Sequence, residues 1–173
     1  MGQLRYTDAV LADTPRGFWK LNESTGLPQD FSGNGFHMTS KTIAAGHYMA
    51  GAPFSGSSSI VFTGDPEATS RTGISAVTDN FTMEMWFNLQ IVSANNRFAI
   101  GNIGSQGWDI EINTTQKFYG NCFGIANQAS SATTLTLSQW YYIVVVRDAG
   151  TWRYYVNGAL DTANAGTTAP GST

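Results

Sequence analysis

The stretch Trp140–Gly158, WYYIVVVRDAGTWRYYVNG, constrains the fold more than any other part of the chain. Apolar positions alternate with period two on both sides of Asp148-Ala149-Gly150, which reads as two strands joined by a tight turn. Gly150 supplies the positive φ that a hairpin corner requires. With Ala149-Gly150 as a two-residue loop, Arg147 stands opposite Trp152, Val145 opposite Tyr154 and Ile143 opposite Val156. These side chains share one almost wholly apolar face, which is expected to enter a core. Val146/Arg153, Val144/Tyr155 and Tyr142/Asn157 share the other, mixed face, which is expected to be partly wet. Arg147 is placed for a cation–π contact with Trp152. A three-residue loop would invert the parity of one strand, so the register depends on the turn.

The remaining chain has the same texture. Phe81–Leu89 (FTMEMWFNL) sets Phe81, Met83, Met85, Phe87 and Leu89 on one face and Thr82, Glu84, Trp86 and Asn88 on the other. Gly17–Asn22, Phe36–Thr42, Gly46–Ala50, Ser58–Thr63, Arg97–Asn102, Trp108–Asn113, Lys117–Phe123 and Thr133–Leu137 are further candidate strands. Gly-, Asn-, Ser- and Pro-bearing turns separate them. Tyr6–Leu11 suits one short helical turn, ended by Pro15. Nineteen glycines and only 12% charged residues fit many short strands and turns. About ten short strands without a long helix indicate two packed antiparallel sheets. At 173 residues the chain is large enough to bury a core without staples.

Composition also excludes partners. A net charge of −3 with no basic cluster gives no footprint for nucleic acid. No apolar run approaches the roughly 20 residues that span a bilayer. Cys122 is the single cysteine, which rules out an internal disulfide and a thiolate metal site. Residues 1–17 lack a basic segment followed by an apolar core, so no secretion signal is read there. The expectation is a protein folded in the cytoplasm, with an extracellular mature chain as the alternative.

Several motifs in order resemble the concanavalin A-like (LamG-like) jelly-roll family. They are Ala12–Glu23 (ADTPRGFWKLNE), Asp30–Gly35 (DFSGNG), Ser59–Gly64 (SIVFTG), Phe81–Phe87 (FTMEMWF), Trp140, and Tyr154–Gly158 (YYVNG). The resemblance implies an all-β, two-sheet antiparallel jelly-roll sandwich with one concave face that binds glycans or proteins. Family members continue past the Tyr-Val-Asn-Gly strand with two more strands. Residues 159–173 (ALDTANAGTTAPGST) have little to bury and read as a flexible tail or linker. The expectation is therefore a jelly roll over 1–158 that lacks its last strands: the chain is cut short, another chain fills the gap, or the variant ends early, and an unfilled slot would expose a strand edge.

Four side chains are candidates for ligand binding. Glu84 and Trp86 share the non-core face of their strand, where an indole can stack on a sugar ring and a carboxylate can accept its hydroxyls. The alternative is Trp86 buried beneath a covering segment. Asp109 and Glu111 alternate on Trp108–Asn113. Glucanases of similar fold carry Glu-x-Asp-x-Glu at such a strand, and retaining hydrolysis needs two carboxyls roughly 5–5.5 Å apart. Here Gly107 stands where the resemblance implies the nucleophile, so no catalytic activity is expected. Asp109 and Glu111 then read as solvated side chains on an exposed face. Asp30 and Asn34, with Ser32 and Glu23, offer oxygen ligands that would suit Ca2+, although no cofactor is required. The alternative is an Asx-type turn. His37 and His47 belong to no catalytic or metal motif.

Together these readings suggest a non-catalytic binding module. Domains resembling this one without a secretion signal occur in bacteriophage virion proteins. The expectation is an oligomeric tail or capsid-surface protein that contacts host glycans. The alternative is a structural decoration protein held to a neighbouring virion protein or to copies of itself, and a third reading, set behind both, is a degenerate or active glycan hydrolase.

Overall fold

The computed structural model describes residues 5–23, 25–41, 48–50, 58–62, 69–70, 80–92, 96–98, 108–122 and 130–165. The chain divides into two compact units, Met1–Ile74 and Ser75–Thr173.

In the first unit, α1 (Tyr6–Ala12) is one residue longer than the sequence suggests. Asp8 and Ala9 donate their amides to the Arg5 carbonyl at its start. Thr14, at φ 50°, closes it immediately before Pro15, where a helical backbone is disfavoured. Four short strands follow: β1 (Ser40–Lys41), β2 (Tyr48–Ala50), β3 (Ser58–Ile60) and β4 (Thr69–Ser70). β1 pairs with β4 and β2 with β3, both antiparallel. The strand expected at Gly17–Asn22 is reduced to a single bridge between Trp19 and Asp30. Leu21 lies at φ 54°, which breaks an extended run. The Trp19 ring folds back over Gly17, so closely that a Cβ there would lie 2.3 Å from it.

The second unit holds β5 (Phe81–Asn88), β6 (Asn96–Phe98), β7 (Trp108–Ile112), β8 (Phe118–Cys122), β9 (Trp140–Asp148), β10 (Thr151–Val156) and β11 (Ala159–Ala165). They form a four-stranded antiparallel sheet in the order β11-β10-β9-β5 and a three-stranded sheet in the order β6-β7-β8. The hairpin register is the one read from sequence: Arg147 faces Trp152, Val145 faces Tyr154 and Ile143 faces Val156. Ala149 and Gly150 lie at φ 46° and 83°, the double positive φ of a two-residue type I′ corner. Asn80 steadies that corner by accepting the Ala149 amide at 2.8 Å.

The core lies between the two sheets. Met83 of β5, Ile143 and Val145 of β9, and Trp152 and Tyr154 of β10 pack in one cluster with Ile110, Ile112 and Phe118 of the other sheet. Gly120 sits in this layer because nothing larger fits: a Cβ there would lie 2.3 Å from the Trp152 ring. Its amide donates to the Tyr154 hydroxyl at 3.2 Å, which satisfies a buried polar tip. Arg147 is buried and holds its guanidinium 5.1 Å from the Trp152 centroid. Thr133–Leu137 is irregular where a strand is expected. Its backbone is tied to the turn before β8 instead, with Leu135 N on Gln116 O at 2.8 Å, and just upstream Ser131 N bonds Phe118 O of β8 at 2.7 Å. Leu135 still reaches the core and is fully buried.

Beyond Gly158 the structure corrects the reading of a flexible tail. Residues 159–165 are a strand, paired with β10 through a bulge between Tyr154 and Tyr155. Residues 166–173 lie outside the described residues. What stabilises this strand is polar, so hydropathy does not reveal it. The Asp161 carboxylate accepts the amides of Ala132 at 2.6 Å and Thr133 at 2.9 Å, and the hydroxyls of Thr133 and Thr162. Burial pushes the Asp161 carboxyl up, but these donors outweigh it and hold its pKa below the ordinary 3.8. A carboxyl whose folded pKa is depressed stabilises the fold fully above its unfolded pKa. That contribution is lost as pH falls below about 3.8 through the folded value. Asp161→Asn is therefore expected to flatten the acid limb of the stability–pH curve below pH 4 and to lower stability at neutral pH. Denaturant melts across pH 2–7 measure both; parallel curves for variant and parent would contradict it.

Candidate functional site

The outer face of the four-stranded sheet carries a continuous aromatic strip. Strand alternation turns Thr82, Glu84, Trp86 and Asn88 of β5 away from the core. The β5–β9 register sets these opposite Val146, Val144, Tyr142 and Trp140. Tyr155 of β10 extends the strip from Val144, and Leu160 of β11 extends it from Tyr155. Trp140, Trp86, Tyr142 and Tyr155 are all half-buried, while Leu160 is 59% exposed.

Within the strip, Glu84, Trp86 and Tyr142 form one unit. The Trp86 and Tyr142 rings lie 5.2 Å apart at an interplanar angle of 31°. The Tyr142 hydroxyl donates to Glu84 Oε2 at 2.5 Å. That bond orients the carboxylate beside the ring pair and leaves its other oxygen able to accept. Trp86 is thus partly enclosed, with its ring half-buried beside Tyr142. At the far end of the face, Arg153 pairs with Asp148 at 3.1 Å. Tyr142 and Tyr155 are absent from the candidates read from sequence. Their parity places them on the mixed face of the hairpin, and only the β5–β9 register shows that Trp86 lies there too.

Asp109 and Glu111 sit elsewhere and in another state. The sequence reading of a solvated face is corrected: they are 0% and 4% exposed. β7 is the middle strand of its sheet, flanked by β6 and β8. Ile110 and Ile112 take its core face, which turns the two carboxylates to the opposite, equally buried face. The Tyr119 hydroxyl, directly across on β8, donates to Glu111 Oε2. Glu84/Trp86 and Asp109/Glu111 therefore point away from the shared core in opposite directions and do not form one site. Gly107 lies outside the described residues.

Asp30 and Asn34 belong to the first unit, where they organise a loop. Asp30 Oδ1 accepts the amides of Phe18 and Ser32, both at 2.9 Å. Its Oδ2 accepts the Ser32 hydroxyl at 2.8 Å and the Phe36 amide at 2.9 Å. Asn34 donates its side-chain amide to the Arg16 carbonyl at 3.0 Å. Burial raises the Asp30 carboxyl, and the four donors overcome it and hold the pKa below the ordinary value. His37 Nδ1 accepts the Asp30 amide at 3.2 Å, which gives that histidine a loop-fixing contact. His47 lies outside the described residues. Among the described residues, no three His, Cys, Asp or Glu side chains gather as metal ligands.

The family model of the concanavalin A-like lectin/glucanases superfamily matches residues 55–173. That is more than half of the chain, and the chain belongs to this superfamily. The match takes in Ser59–Gly64, Phe81–Phe87, Trp140 and Tyr154–Gly158, while Ala12–Glu23 and Asp30–Gly35 lie outside it. No curated protein and no solved structure matches the chain.

Proposed function

We propose that this member of the concanavalin A-like superfamily is a non-catalytic module that binds glycan through the outer face of β5 and β9. One observation carries the reading: Trp86 and Tyr142, held together with Glu84, form a partly exposed aromatic patch bearing an oriented acceptor. Sugar rings present apolar C–H faces edged by hydroxyls, which such a patch complements. The non-catalytic reading is supported by Asp109 and Glu111, buried in the other sheet with Glu111 taken up by Tyr119. Display on a virion surface, with neighbouring virion proteins or further copies as partners, extends the same proposal and rests on the motif resemblance. The competing reading, a decoration protein gripping another protein, draws on exposed Leu160 beside Tyr155 at the other end of the strip.

Trp86→Ala is expected to weaken glycan binding by about 1–3 kcal/mol, roughly 5- to 150-fold, as removal of a stacking ring does. Leu160→Ala is expected to leave it unchanged. A glycan array followed by calorimetry on parent and variants tests both. An array with no hit, or a hit indifferent to Trp86, would remove the glycan reading.

A further inference from the structure

We propose that the ligand is cationic: a glycan with free ammonium groups, of the glucosamine type. This rests on the glycan reading above and specifies its chemistry. The charges on the strip make the case. Outer-face positions of β5, β9, β10 and β11 contribute three ionisable side chains among the described residues, Glu84, Asp148 and Arg153, apart from the tyrosine hydroxyls. Arg153 is already matched by Asp148 at the turn. Glu84 stands at the ring pair as an exposed carboxylate, and its one hydrogen bond there comes from the neutral Tyr142 hydroxyl. That bond positions the carboxylate without cancelling its charge.

An ammonium group is attracted by the face of an aromatic ring and by a carboxylate, and here both are fixed side by side. Tryptophan is the strongest of the aromatic partners, and Tyr142 adds a second ring 5.2 Å from it. The same field works against anionic sugars. A uronate placed on Trp86 would lie beside Glu84 with no unmatched cation on the strip among the described residues to offset it, and the chain as a whole carries −3. The face should therefore select by charge first and by ring stereochemistry second.

The test is calorimetric titration of the full chain with four tetramers: glucosamine, N-acetylglucosamine, glucose and galacturonate. Glucosamine tetramer is expected to bind about tenfold more tightly than its N-acetylated counterpart, from an exposed cation–π contact plus a surface ion pair. Galacturonate is expected to be weakest. Glu84→Gln keeps the size and the contact with Tyr142, so it should fold as the parent does. It should abolish the preference for the amino sugar while retaining residual binding of the neutral tetramers, whereas Trp86→Ala should weaken all of them. Equal or tighter binding of N-acetylglucosamine, or an amino-sugar preference that survives in Glu84→Gln, overturns the charge selection and leaves glycan binding standing. Failure of every tetramer and of the wider array to bind removes both.

Discussion

Truncation of Trp152 to alanine is expected to cost about 3–5 kcal/mol, the largest single loss in the second unit. The ring is fully buried at the meeting of both sheets. Phe81 packs edge-on against it at 5.8 Å, and the Arg147 guanidinium lies 5.1 Å from its centroid. Removing it opens a cavity and takes the ring from a buried cation, so two penalties add. Gly120 sharpens the test. Adding one methyl there drives a Cβ to 2.3 Å from the same ring and is expected to cost about 1–3 kcal/mol by overpacking. In the Trp152→Ala background that methyl meets open space and should cost little. A double-mutant cycle by denaturant unfolding reads the coupling. Additive losses would mean that the ring and the glycine do not meet.

Asp30→Ala is expected to destabilise the first unit by about 2–4 kcal/mol, since hydrogen bonds to a charged acceptor are worth about 1.5–3 kcal/mol and several are lost together. Three backbone amides, those of Phe18, Ser32 and Phe36, converge on this one carboxylate. Asp30→Asn should recover only part of the loss, because its amide end turns a donor toward donors. Amide hydrogen exchange separates a local effect from a global one. The three amides should exchange faster together in both variants. Unchanged protection at Phe18 and Phe36 would remove the carboxylate from the role given to it here.

How far the residues announce this arrangement depends on the scale of the forces involved. The hairpin is legible because its signals are local and agree: period-two alternation, a Gly-bearing corner and one apolar face. Met83, Ile143 and Tyr154 reach the core as that alternation requires. β11 is hidden because its main anchor, Asp161, bonds a segment about thirty residues away through oxygen atoms. Asp109 and Glu111 mislead for a related reason. Alternation tells which residues share a face and says nothing about whether a second layer covers it. Alternation already sets Glu84 and Trp86 on one face of β5, while Tyr142 stays hidden as their neighbour, because its place beside them depends on the register between two strands far apart in the chain.

That register also bears on how the molecule is made. β9 and β10 are joined by a two-residue corner and can close on each other within microseconds. β5 must find β9 across an intervening stretch of about fifty residues, so its docking carries the larger entropic barrier and comes late. Until it arrives, neither half of the Trp86–Tyr142 pair has its partner. The paired rings are thus an outcome of the slow, long-range phase of folding, and an ephemeral species with only the hairpin formed would lack the aromatic patch altogether.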